Sequence, residues 1–233
     1  FRRGAVDRPE DLANAMRRDA LTRPARNKLL ADMTSEVARL VLTNNYEQTL
    51  AVSLARRAGL AAFGHHARLM SILEQRKLLD RTVEYLPNPA QVVQRQARGE
   101  PLTRAELGVL LAYAKIVLFS DLIASDVPDD PHFHRDLMAY FPDKMEKKYS
   151  GDIETHRLRR EIITRMLSND IINRGGPAFV SRMQEATGRS ARDVVRAFAV
   201  VRDGFDMKGL FEGIDALDSK VDGQLQLDLY AGV

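Results

Sequence analysis

Apolar residues recur at three- and four-residue intervals along nearly all of this chain, and the period-two alternation of half-buried strands is almost absent. That pattern builds amphipathic helices and little else. From Thr34 onward, Val37, Leu40, Val41, Asn44, Gln48, Ala51 and Leu54 share one helical face, and Gly59 stands where a left-handed C-terminal cap is expected. A second helix through Leu69, Ile72, Leu73, Leu79, Val83 and Leu86 is predicted to stop before Pro87. Asn88-Pro89 opens a short helix closing at Gly99, by the preference for an N-cap with proline in the first turn.

The strongest element starts at the capping box of Thr103 and Glu106 and carries Leu107, Leu110, Leu111, Ala114, Leu118 and Leu122 on a wide apolar stripe. It should finish near Ser125, ahead of Pro128. Asp130-Pro131 caps a short helix ending at Tyr140-Phe141-Pro142, and a long one is expected from Ile153 to Asn173. Pro177 starts the next, ending at Gly188, and Ser190 with Asp193 repeats the capping-box logic. Leu210, Phe211, Ile214 and Leu217 form a last amphipathic piece; Gln224-Leu225-Gln226-Leu227 suits helix or strand. The expected fold is all-α, a multi-helix bundle-like domain of about eight or more helices. It divides into an irregular lead-in or linker at 1–26, a helical domain at 27–205 and an acidic amphipathic tail at 206–233 that packs on the domain. The chain starts at Phe1 and is read as part of something longer.

Composition narrows the chemistry. The 233 residues include no cysteine, which excludes thiol nucleophiles, Cys-ligated zinc, iron–sulfur clusters and disulfides. No apolar run approaches the length of a membrane span, and no signal-peptide core is seen, so a soluble cytoplasmic protein without a membrane partner is expected. The net charge is only +3, weak support for a polyanion partner despite a pI near 9.2. His65-His66 and His132-Phe133-His134 are possible metal ligands, but adjacent histidines on a helix point their rings apart, an HxH pair chelates best on a strand whereas this one follows Asp-Pro at a helix start, and no metal is expected. Arg157, Arg159 and Arg160, within His156-Arg157-Leu158-Arg159-Arg160-Glu161, form a candidate anion-contact or interdomain face, and arginine's planar fork suits carboxylates and phosphates alike. Lys115 borders the apolar stripe. Buried, it would lose pKa and become a candidate base or amine nucleophile; the commoner arrangement packs its stem and leaves its ammonium at the rim. No GxGxxG, phosphate-binding loop, GxSxG or HExxH is present, and no catalytic, cofactor-binding or metal residue is assigned.

Longer strings are more specific. Met33-Thr34-Ser35-Glu36-Val37-Ala38 and Asn44-Asn45-Tyr46-Glu47-Gln48-Thr49-Leu50-Ala51 resemble the segment after the catalytic domain of the large bacterial NAD-specific glutamate dehydrogenases. The similarity continues through Leu102-Thr103-Arg104-Ala105-Glu106-Leu107, Leu110-Leu111-Ala112-Tyr113-Ala114-Lys115, Ser125-Asp126-Val127-Pro128-Asp129-Asp130-Pro131 and Tyr140-Phe141-Pro142. His156-Arg157-Leu158-Arg159-Arg160-Glu161-Ile162-Ile163 and Asn173-Arg174-Gly175-Gly176 complete it, over roughly residues 27–205. The resemblance implies a parent enzyme that deaminates L-glutamate oxidatively, with NAD taking the hydride, its dinucleotide fold and substrate lysines lying upstream of this chain. It implies no cofactor in this part, and as partners the enzyme's own upstream catalytic domain and further copies in a homo-oligomer. The surfaces expected to make those contacts are the Arg157–Arg160 face and the tail at 207–217. A rival reading is a free-standing helical module for an acidic partner such as RNA, although nucleic acid is the less expected partner. A third is a small-molecule allosteric site between the helices.

Overall fold

The computed structural model describes residues 22–233. Among the described residues there are ten α-helices and no strand, so the protein is all-α. They are α1 (Arg23–Gln75), α2 (Pro89–Arg98), α3 (Arg104–Ile123), α4 (His134–Ala139), α5 (Asp143–Glu154), α6 (Arg159–Gly175), α7 (Phe179–Thr187), α8 (Ala191–Gly204), α9 (Met207–Asp215) and α10 (Gly223–Gly232). Two 3-10 turns, Val127–Asp129 and Pro131–Phe133, join α3 to α4.

The capping chemistry works as the residue order predicts. Asn88 and Gln91 exchange hydrogen bonds of 2.9 Å at the start of α2, and Gly99 closes that helix at φ 70°. Thr103 and Glu106 do the same for α3, and Ser190 and Asp193 for α8. The apolar stripe of α3 (Leu107, Leu110, Leu111, Ala114, Leu118, Leu122) is buried against α6, whose Ile162, Ile163, Leu167, Ile171 and Ile172 are buried too. Phe63, Met70 and Leu73 of α1 join the same core. Each such side chain withdrawn from water contributes about 1.5–3 kcal/mol.

Four boundaries differ from the periodicity. First, α1 begins at Arg23, inside the stretch read as lead-in, because Thr22 caps it and Pro24 suits its first turn; residues 1–21 lie outside the described residues. Second, Gly59 takes a positive φ of 51° yet does not end the helix: Leu60-Ala61-Ala62-Phe63 resumes it at once, leaving a kink inside α1. A left-handed glycine ends a helix only when the residues after it leave the axis. Third, the helix resumed there stops at Gln75, so Leu79, Val83 and Leu86 lie in turns. In those turns Asp80 accepts from the amides of Thr82 and Val83, while buried Arg81 donates to the Pro87 carbonyl and the Ser71 hydroxyl, each at 3.0 Å.

The fourth difference is a break in the expected Ile153–Asn173 helix. Residues 155–158 separate α5 from α6, and the Leu158 amide donates to His156 Nδ1 at 3.1 Å. A ring nitrogen thus replaces a helical carbonyl as acceptor, a competition that apolar spacing does not reveal. The ambiguous 224–227 segment is helical, within α10.

Candidate functional site

The arginine string divides between two roles. Arg160 reaches back over the end of α3, donating to the carbonyls of Ile123 at 2.9 Å and Ser125 at 3.0 Å and pairing with Asp129. It therefore supplies positive charge and donors where a helix C-terminus exposes unpaired carbonyls. Arg159 stands 3.4 Å from the same Asp129, and Arg157 is exposed. Asp129 faces two cations, so part of this basic face is neutralised within the chain.

Lys115 is not brought to that face. It stands eight residues before Ile123 on α3, roughly 12 Å along the axis. Half-buried, it has its pKa lowered by desolvation and by Arg165, with Glu47 of α1 acting in the opposite sense. Burial in turn raises Glu47, against the pull of Arg174, whose guanidinium lies 3.6 Å away. The Arg174 guanidinium also sits 4.1 Å over the ring of Phe211 on α9, and Phe211 stacks on Tyr230 of α10 at 6.1 Å. This line from α1 through α6 holds the two tail helices, further secured by Tyr230 bonding Asp215 and by Gln226 donating to the Ile214 carbonyl at 2.9 Å.

A second junction centres on Arg202 of α8. Its guanidinium donates to Asp136 and Asp170 at 3.0 Å and to Asp203 at 2.8 Å. Burial lowers its pKa, but the carboxylates outweigh that and raise it. His132 Nε2 approaches Asp203 to 2.7 Å, and His134 lies 3.4 Å from Glu154. His65 is exposed, whereas His66 is buried, its pKa pushed down to about 4 by desolvation and by His65. Among the described residues no group of three or more His, Cys, Asp or Glu side chains is placed to hold a metal ion. No helix there is long and apolar enough to cross a membrane. Asn44, on the apolar face of α1, accepts from Gln48 at 2.5 Å.

A cleft of about 750 Å³ is walled by α1, the α6–α7 turn, α7, α8 and the tail helices. Its floor includes Ala58, Ala62, Phe179, Met183, Val194 and Phe198. Gly175 packs so closely under Phe179 that a Cβ there would stand 2.5 Å from the ring, so a larger residue would displace that wall. Sequence reasoning missed this cleft because its residues come from three stretches far apart in the chain, 54–66, 174–211 and 230–233. The one local sign was Asn173-Arg174-Gly175-Gly176, which turns the chain from α6 towards α7.

Among the described residues, a main helical core and a small second cluster of Leu50, Ile214 and Tyr230 that seats α9 and α10 on α1, cross-tied by ion pairs at Arg174 and Arg202, define an all-α domain. The family model described as glutamate dehydrogenase, C-terminal, matches residues 99–233, and the chain belongs to that family. The model described as bacterial NAD-glutamate dehydrogenase, catalytic domain, matches residues 11–55, so part of the stretch read as lead-in and the first half of α1 fall under it. The chain is 42% identical over 212 residues to the NAD-specific glutamate dehydrogenase of Halomonas elongata, an alignment covering 91% of this chain and 13% of that protein. It is 43% identical over 209 residues to that of Pseudomonas aeruginosa (90% and 13%) and 32% identical over 191 residues to that of Mycobacterium tuberculosis (82% and 12%). This chain thus spans about an eighth of the length of the relatives it matches.

Proposed function

We propose that this chain is the C-terminal helical part of a cytoplasmic, homo-oligomeric NAD-specific glutamate dehydrogenase, and that it holds the enzyme's catalytic part in position without contributing a reacting group. In that enzyme L-glutamate, NAD and water give 2-oxoglutarate, ammonia and NADH, and NAD is held upstream of this chain. The observation that carries the reading is α1. The catalytic-domain match ends at residue 55, but α1 runs on to Gln75, crossing from one family description towards the other.

The two halves of α1 differ in what they bury. Between Arg23 and Thr49 only Met33 is buried, and Leu30, Val41 and Leu42 are 41%, 54% and 68% exposed. From Leu50 onward Ala51, Phe63, Leu69, Met70 and Leu73 enter the core. The first half therefore offers apolar surface for the upstream part while the second is anchored here. Two contacts brace that first half: Glu36 accepts from the Asp143 amide at 3.0 Å, and Lys144 pairs with Asp32 at 3.3 Å. The test is glutamate-dependent NAD reduction. The chain alone should be inactive, and the parent enzyme lacking this chain should lose activity and assembly, regaining them when the whole 233-residue chain is supplied in trans. Full activity and native assembly of the truncated enzyme would refute the proposal.

A further inference from the structure

We propose that the cleft between α1, α7 and α8 is a binding site for a small organic carboxylate with an extended apolar body. Three independent observations converge there. The first is its shape: about 750 Å³ lies within the range of small-molecule sites, and the floor of Ala58, Ala62, Phe179, Met183, Val194 and Phe198 suits a hydrocarbon or aromatic body.

The second observation is charge. Five arginines line the cleft, and three are committed elsewhere: Arg57 to Asp228, Arg174 to Glu47 and Arg202 to its three aspartates. Arg182 and Arg189 form no ion pair among the described residues. The only acidic side chain lining the cleft, among those residues, is Asp193, whose carboxylate is held by the Ser190 hydroxyl at 2.7 Å in the α8 capping box and by Arg192 at 3.6 Å. Arg189 acts on Asp193 only at longer range. The lining thus carries two guanidiniums without a side-chain ion-pair partner, either of which can grip a planar anion by paired N–H donors.

The third observation is His66. It lines the cleft, is only 4% exposed and has no hydrogen-bond partner among the described residues. Its ring nitrogens are not among the buried polar atoms that lack a partner, so they stay open to solvent, and a polar group on a ligand can replace that water. Its depressed pKa keeps it neutral at pH 7, so it offers one donor and one acceptor. A purely apolar occupant would take water from the histidine and offer it nothing in return.

Decanoate, kept below its micellar concentration, is a suitable probe, with titration calorimetry on the 233-residue chain as the readout. The expected result is saturable binding of one decanoate per chain, at least tenfold tighter than acetate, which lacks the body, or decan-1-ol, which lacks the charge. The exposed pair Arg182→Ala and Arg189→Ala should weaken decanoate at least tenfold with an unchanged folding transition. Ala62→Phe, filling the floor, should abolish binding. Equal binding of decanoate and decan-1-ol, multiple weak sites, or decanoate binding unaffected by the double arginine variant would overturn the proposal. So would binding of an acidic amphipathic peptide from the upstream enzyme with none of decanoate, which would make the cleft a protein-docking groove. These readouts do not involve glutamate oxidation, so they stand or fall separately from the function proposed above.

Discussion

Glu106→Ala should be among the most damaging polar substitutions in this domain. Glu106 is 8% exposed, and one carboxylate oxygen accepts from the Thr103 amide at 2.7 Å, the Thr103 hydroxyl at 3.0 Å and Arg95 at 2.9 Å. The residue thus completes the cap of α3 and ties α2 to it. Losing an N-terminal cap costs about 1 kcal/mol. A charge-assisted hydrogen bond contributes about 1.5–3 kcal/mol, and the half-exposed position of Arg95 favours the lower figure. The expected loss is about 2–3 kcal/mol for Glu106→Ala, against about 1 kcal/mol for Thr103→Ala, which removes only the hydroxyl side of the box. Glu106→Gln should fall between, because the amide oxygen still accepts from Thr103 but no longer carries charge.

Urea unfolding at pH 7, read by far-ultraviolet circular dichroism, measures all three, and a cycle with Arg95→Ala isolates the ion pair. Burial raises the Glu106 pKa, but Arg95 and Thr103 outweigh it and the net shift is downward. A carboxylate depressed in the folded state stabilises above its unfolded pKa of about 4.5, and that stabilisation fades as pH falls through the folded value. The gap between wild type and Glu106→Gln should therefore close in acid. A loss under about 0.5 kcal/mol for Glu106→Ala, or Glu106→Gln as costly as Glu106→Ala, would show that the buried charge adds nothing.

Other sites are equally open to measurement. Arg202→Leu strands Asp136 and Asp170 while Asp203 keeps Arg135 and His132, so about 3 kcal/mol should be lost at pH 7 and much less where the carboxylates are protonated; a loss below about 1 kcal/mol contradicts the network. His66 has a folded pKa of about 4, below its unfolded value near 6.5, so the unfolded chain takes up the proton first and stability should fall between pH 6.5 and 4 by up to about 3 kcal/mol; His66→Leu should flatten that slope, and an unchanged slope refutes the assignment. Tyr230→Phe loses the bond to Asp215, and hydrogen exchange across α10 should accelerate about fivefold or more while α3 is unaffected. Gly59→Ala places a Cβ in open space, so its expected cost of about 1–3 kcal/mol comes from the backbone alone, and a neutral result means α1 straightens.

Much of this protein is legible in local sequence because helix formation is a local matter. The capping boxes at Asn88, Thr103 and Ser190, the left-handed glycines at 99 and 188 and the stripe of α3 all depend on residues within one or two turns of each other. The fate of Gly59 was not legible, since a positive φ ends or merely kinks a helix according to what the next residues can bury. The break at His156 escaped for a similar reason: a side-chain nitrogen took a backbone amide without any glycine or proline to announce it. Arg157, Arg159 and Arg160 look alike as a charged string, yet only the arrangement of α3 and α6 brings Arg160 onto the Ile123 and Ser125 carbonyls and sets Lys115 apart beside Glu47. The sequence by itself determined an all-α chain, most of its helix ends and the resemblance that its long ordered strings carry. Tertiary structure alone decided which charges cancel, which histidine is buried and where a cleft opens, because those depend on residues far apart in the chain meeting across packed helices, and no local pattern encodes that distance.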